Sequence, residues 1–347
     1  MIKLRSVLVF VLALALLAVV MPSTRASAED AKVSVGLVGA VSDAPLFIAE
    51  AKGYFKEENI EVNLVQFNSG ALMTAPLGTG ELDVGAGGPS AGFYNAVARG
   101  IDVKIVADKA TTAPGYGFNP LVIRKALIDS GKVKSARDLK GLTIANVTTG
   151  DSAEPTITEA LKKGGLTWND VKHVHLSFAD QVVAMQSGSV DGGIITEPNA
   201  TRAVQLGIGV RFMPTDKFYP NQQIATLMYG GPFMKSRPDV AKRFMIAYVK
   251  ALRYYYGALK DGHYAGPNAA SVTAILEANT SVKDPALYKL MTPNAVNPDG
   301  AVDLDTMRND LSVWRALGEV TGNVTVEQAV DMSYVDAAVK ALGKYKR

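Results

Sequence analysis

A chain of 347 residues with 36 Lys and Arg against 33 Asp and Glu carries a formal charge of +3, and it has no cysteine. The absence of thiols excludes disulfides, thiolate zinc sites, iron–sulfur clusters, a cysteine nucleophile and a lipid-modified cysteine. At 48% hydrophobic and 20% charged residues the composition is that of a globular protein.

The first residues have the layout of an export signal. Lys3 and Arg5 precede an unbroken apolar run from Val7 to Met21, followed by Pro22 and the small residues Ala26-Ser27-Ala28. An apolar run of about 15 residues is short of the ~20 that span a bilayer, so the segment predicts a secretory signal peptide cleaved after Ala28 rather than an anchor. Removing residues 1–28 takes away Lys3, Arg5 and Arg25 and no acid, so the charge falls from +3 to 3 − 3 = 0. The exported chain therefore has no electrostatic case for nucleic acid or an anionic membrane as partner. Its length of 347 − 28 = 319 residues exceeds what one core usually serves and predicts two lobes.

In chain order, Val33–Val38 reads as a buried strand, Pro45–Lys52 as a helix closed by Gly53, and Ile60–Phe67 as a second strand. Ala71–Leu77 reads as a helix, Asp83–Ala86 as a short strand, Ser90–Arg99 as a helix and Val103–Ala107 as a fourth strand. A second pass begins with strand Leu142–Val147, helix Ser152–Lys163 and strand Val171–Phe178. Helix Ala179–Ser187, strand Gly192–Ile195, helix Pro198–Gln205 and strand Val210–Met213 complete it. Strands alternating with helices at this spacing predict parallel βαβ units.

The two passes echo each other in order. Asp43-Ala44-Pro45 is answered by Ser152-Ala153-Glu154-Pro155, and Gly80-Glu81-Leu82-Asp83 by Gly188-Ser189-Val190-Asp191. Matches in register over roughly seventy residues point to a duplicated α/β lobe. Leu121–Arg124 reads as the strand that crosses to the second lobe and Ile224–Met228 as the return. Asp239–Leu259 is an amphipathic helix, and the helical tail is expected on lobe 1. The division is thus 29–121 with 226–347 for lobe 1 and 122–225 for lobe 2, joined by a two-strand hinge suited to closure.

Ligands of open parallel sheets sit beyond the carboxyl ends of the strands. Four loops there carry small and hydroxylated residues: Ser42-Asp43, Asn68-Ser69-Gly70, Gly88-Pro89-Ser90 and Thr149-Gly150-Asp151-Ser152. Singly, each reads as an ordinary helix cap. Together, aimed at one cleft, they read as a binding site whose glycines admit a ligand to the backbone. Glu197 either accepts from a ligand or caps a helix, and Asp43 and Asp151 pose the same choice. Three acids there disfavour a multiply charged anion. Tyr116 and Phe178 are candidate walls for an organic group.

Catalytic signatures are sparse. His173 and His175 lie two apart on a strand, opposite the apolar face of Val174, Leu176 and Phe178, and read as solvent-facing rather than metal ligands. No Gly-x-Ser-x-Gly, P-loop or dinucleotide fingerprint occurs. No cofactor, metal or catalytic residue is expected, although a non-thiol lyase using Asp43, Asp151 or Glu197 stays open as an alternative.

The stretch Pro45-Leu46-Phe47-Ile48-Ala49-Glu50-Ala51-Lys52-Gly53-Tyr54-Phe55, with Asn59-Ile60-Glu61-Val62 after it, resembles the opening of the nitrate/sulfonate/taurine-type ABC transporter substrate-binding proteins. Gly80-Glu81-Leu82-Asp83, Asp138-Leu139-Lys140-Gly141, Gly188-Ser189-Val190-Asp191 and Glu197-Pro198 fall where that family has similar segments. The resemblance implies a two-lobed, type II periplasmic binding-protein fold. It also implies a monomeric protein that delivers a small ligand to a membrane permease and, through it, to an ATPase. The ligands it implies range from nitrate and sulfonates to taurine, aromatic acids and pyrimidines. A ligand-sensing partner of a membrane receptor is a further reading. The pyrimidine-synthesising branch of the fold uses histidine and cysteine residues, and this chain has no cysteine.

Overall fold

The computed structural model describes residues 30–346, and the signal peptide expected over residues 1–28 lies outside the described residues. No helix among the described residues is long and apolar enough to cross a membrane.

Ten strands form two five-stranded sheets. In chain order they are β1 (Ala31–Leu37), β2 (Ile60–Gln66), β3 (Val84–Gly87), β4 (Val103–Ala110), β5 (Leu121–Arg124), β6 (Thr143–Asn146), β7 (Lys172–His175), β8 (Gly192–Ile194), β9 (Gly209–Met213) and β10 (Ala225–Gly230). The first sheet runs β2-β1-β3-β10-β4 and the second β7-β6-β8-β5-β9. In the first, β1 is parallel to β2 and β3, while β10 is antiparallel to β3 and β4. In the second, β6 is parallel to β7 and β8, while β5 is antiparallel to β8 and β9. The orders are the same when read as second, first, third, crossing and fourth strand. Helices flank both sheets, so this is the expected α/β architecture with mostly parallel sheets.

The duplicated Gly-x-x-Asp segments do the same work in both halves. Gly80 and Gly188 end helices at φ of +84° and +81°, a backbone region that favours glycine. Three residues later, Asp83 Oδ2 accepts the Ser34 N–H at 2.9 Å and Asp191 Oδ2 accepts the Thr143 N–H at 3.0 Å. Each acid also pairs with an arginine, Arg237 for Asp83 and Arg124 for Asp191. The motif thus pins the start of the third strand to the first.

Several elements differ from expectation for local reasons. β5 and β10 lie inside sheets rather than forming a free hinge, so residues 111–120 and 214–224 make the crossings. These segments bind each other: Thr112 N–H donates to Gln222 O at 3.2 Å and Asn221 N–H to Thr112 O at 2.9 Å. β7 stops at His175 because Ser177 caps a helix, Phe178–Ser187, by accepting the Asp180 N–H at 3.2 Å. The long helix runs Pro238–Tyr256, and the chain then turns back on itself where Leu259–Lys260 pairs with His263–Tyr264. Its buried Phe244, Tyr248, Ala251 and Tyr255 follow one another about one turn apart and fill the first core.

The tail does not pack on the first half alone. Helix Ser333–Leu342 lies in the first core, but helix Leu304–Ala316 reaches across. Asn309 Nδ2 donates to Glu159 Oε1 at 3.3 Å, and Trp314 Nε1 donates to Asp151 O at 3.3 Å.

Candidate functional site

The carboxyl ends of the parallel strands of both sheets converge on one cavity of ≈ 60 Å³. From the first half, Ser42 follows β1, Ser69 and Gly70 follow β2, and Gly88 follows β3. From the second half come Asp151 and Ser152 after β6, Phe178 after β7, and Thr196 after β8. These include seven of the residues expected at the cleft. The halves touch around it. Val41 N–H donates to Glu197 O at 3.2 Å and Ala91 N–H to Gly150 O at 2.9 Å. A Cβ on Gly88 would stand 2.2 Å from Ser152 Oγ, so glycine is required for this approach.

Asp43, Pro89, Ser90, Tyr116, Thr149, Gly150 and Glu197 do not line the cavity. Ser90 is a helix cap, with its Oγ accepting the Phe93 N–H at 3.0 Å. Tyr116 sits in the 111–120 crossing. Thr149 is exposed and meets His175 Nε2 at 3.0 Å. Gly150 spends its N–H on Glu154 Oε1 at 2.9 Å.

The three acids each have structural partners. Asp43 Oδ2 accepts the N–H groups of Val38 and Ala40 at 3.2 and 2.9 Å. Asp151 repeats the device, its Oδ2 accepting Val147 and Thr148 N–H at 2.9 and 3.0 Å. Its Oδ1 takes Asn146 Nδ2 and the Ala153 N–H at 3.1 and 2.9 Å. Burial pushes the Asp151 carboxyl up, and these four bonds oppose the shift. Glu197 Oε2 accepts the Thr201 N–H at 2.9 Å and Oε1 pairs with Arg211. Fully buried and turned into the second half, Glu197 is a cap rather than a wall of the cleft.

Among the lining residues outside the expected set, two have unusual surroundings. Lys109, at the end of β4, is buried with its Nζ 2.8 Å from Asp43 Oδ1 and 3.2 Å from Ser42 Oγ. The signal was present: Asp108-Lys109 interrupts an apolar strand, and a charge pair inside a buried strand has to be partnered. Asn119 lies on the first crossing, fully buried, with neither Oδ1 nor Nδ2 bonded to protein. Asn119-Pro120 reads as a turn in sequence, which hides it.

The histidine pair keeps to one side of β7, but His173 is not solvent-facing. Trp168 stacks on it with ring centroids 3.5 Å apart, and the Trp168 carbonyl meets Nε2 at 2.9 Å. Burial lowers its pKa. Among the described residues no group of three or more His, Asp or Glu side chains is placed to hold a metal ion.

Residues 41–258 match the family model described as "NMT1/THI5 like". The chain is 26% identical over 223 residues to the 4-amino-5-hydroxymethyl-2-methylpyrimidine phosphate synthase of Aspergillus parasiticus, a match covering 61% of this chain and 62% of that protein. Less than two thirds of that relative's length is therefore spanned. In structure it is similar to the alkanesulfonate-binding protein of Xanthomonas axonopodis pv. citri bound to MOPS, with a TM-score of 0.70 at 20% identity, over 88% of this chain and 99% of that one. It is also similar to the periplasmic nitrate-binding protein of Synechocystis PCC 6803, with a TM-score of 0.71 at 14% identity, over 91% and 90%. The fold is that of the two-lobed periplasmic binding proteins. Matched over more than half its length, the chain belongs to the NMT1/THI5-like family.

Proposed function

We propose that this chain is the extracytoplasmic solute-binding component of an ABC importer, exported to the periplasm, acting as a monomer and handing one small organic ligand to a permease coupled to an ATPase. The observation that carries the reading is the cavity between matched strand ends of the two sheets, where an importer protein would grip its cargo. In this reading residues 29–121 with 226–347 form one lobe and 122–225 the other. They rotate about the paired crossings 111–120 and 214–224. The ligand-binding set is Ser42, Ser69, Gly70, Gly88, Asp151, Ser152 and Phe178, extended by Lys109 and Asn119.

The test is a thermal-shift screen of protein refolded from guanidinium to strip bound solute, against sulfonates, taurine, aromatic carboxylates, amides and pyrimidines. A ligand of the folded state raises the melting temperature by mass action. A flat response across the panel sinks the reading.

The match to a pyrimidine phosphate synthase favours a second reading, an enzyme on the same fold. Asp43, Asp151 and Glu197, its acid–base candidates, are each committed to backbone N–H groups, which supports binding over turnover. Recovery of a bound ligand unchanged after long incubation separates the two.

A further inference from the structure

We infer that Asn119 is the specificity-determining residue of the cavity and that the ligand is an uncharged molecule with a carboxamide-like edge, a hydrogen-bond donor beside an acceptor. The inference rests on the solute-binding reading and names its ligand class. Asn119 is fully buried and borders the cavity, and its side chain leaves both a donor and an acceptor unbonded to protein. A buried amide abandoned in this way is costly, and native structures give such groups a partner.

The side chain is held ready for one. Its own carbonyl accepts Thr215 Oγ1 at 2.5 Å, the preceding Phe118 carbonyl accepts the Glu197 N–H at 3.0 Å, and the following Pro120 carbonyl accepts the Ile195 N–H at 3.2 Å. Three anchors in the second half thus fix this stretch of the crossing. An amide so placed forms two parallel bonds with another amide edge, Nδ2–H to the ligand oxygen and ligand N–H to Oδ1. Asparagine uses the same two atoms to read the donor–acceptor edge of adenine.

Charge argues in the same direction. The ammonium of Lys109 is the cation of the cavity wall, and Asp43 already balances it at 2.8 Å. Asp151 lines the opposite side. A carboxylate or sulfonate would bring a charge with no free counterion and only acceptors to set against Asn119 Oδ1.

The experiment uses matched pairs in two sizes, acetamide with acetate and benzamide with benzoate, plus benzenesulfonate. Each is measured by calorimetry and melting shift on the stripped full chain and on Asn119→Leu and Asn119→Asp. The expected result is binding of the amides over their acids, reduced about 10- to 100-fold in both variants, the cost of an unmade buried hydrogen bond. Acids that bind more tightly than amides, with affinity unchanged in Asn119→Leu, overturn the inference and leave solute binding standing. Amide binding unchanged in a more stable Asn119→Leu assigns the side chain to a buried water and overturns it too. No binding in either arm, nor in the wider screen, removes both readings.

Discussion

Lys109 Nζ lies 2.8 Å from Asp43 Oδ1, with both side chains sealed from solvent. Because Asp43 Oδ2 also holds the Val38 and Ala40 N–H groups, the pair ties the loop after β1 to the end of β4 beside the cavity. Removing one partner strands a buried charge. Lys109→Met is expected to cost about 3–5 kcal/mol in urea unfolding. Adding Asp43→Asn should restore part of that loss, since a neutral amide still accepts one backbone N–H. A double variant no more stable than Lys109→Met would place the cost elsewhere.

Gly88 and Ser152 meet where the halves touch. A Cβ on Gly88 would meet Ser152 Oγ at 2.2 Å, Ser152 Cβ at 2.8 Å and Ile224 O at 2.9 Å. Gly88→Ala should therefore destabilise the closed chain by about 1–3 kcal/mol, the usual cost of overpacking. Ser152→Gly in the same chain removes two of the three clashes and should return part of it. The cycle should show a coupling above about 0.5 kcal/mol. Simple additivity would mean that the two loops do not meet in solution.

The fold was legible because its signals are local and repeated. Gly80 and Gly188 stand in the same place relative to Asp83 and Asp191, and each acid pins the neighbouring first strand. The site was half legible. Loop position finds Ser42, Ser69, Gly88 and Ser152, because strand ends fix where a loop opens. It cannot find how an acid is already occupied. Asp43 and Asp151 look like ligand acceptors in sequence, but each already holds backbone N–H groups of its own turn, with Lys109 added on Asp43 and Asn146 on Asp151. Nor could it place Lys109 opposite Asp43, 66 residues away in sequence, or separate Asn119 from an ordinary Asn-Pro turn. Those depend on how sheets and crossings meet in space.

Acidic groups at the joints predict stability that falls as pH rises. Burial pushes the Asp310 carboxyl up to about 7, with Glu159 and Asp303 adding to the shift and bonds from Tyr219 and Gln222 opposing it. Burial, a bond to the Glu319 carboxyl and the charge of Asp151 likewise push Glu154 well above the carboxylate range, against a bond from the Gly150 N–H. An acid whose pKa is raised by folding binds more protons in the native state between its two pKa values. Its contribution is full below the unfolded value near 4 and is lost as pH rises through the folded one. The melting temperature should thus decline from pH 5 to pH 8. Asp310→Asn should flatten part of the slope that ends near 7, and Glu319→Gln part of the slope that continues above it. A profile rising with pH in the unaltered chain would contradict both assignments.

Trp314 offers a direct readout of closure. It is one of two tryptophans, and its indole is buried against Tyr94, with Nε1 donating to the Asp151 carbonyl of the other half at 3.3 Å. Opening of the cleft as proposed would break that bond and admit water to the ring. Trp168 sits away from the cleft, stacked on His173 within the second half. Ligand added to stripped protein should therefore shift the emission to shorter wavelength. The shift should persist in Trp168→Phe and vanish in Trp314→Phe, while the melting shift caused by ligand persists in both. A fluorescence response that follows Trp168 instead would mean that binding rearranges the second half internally, without bringing the Trp314 side of the tail onto Asp151.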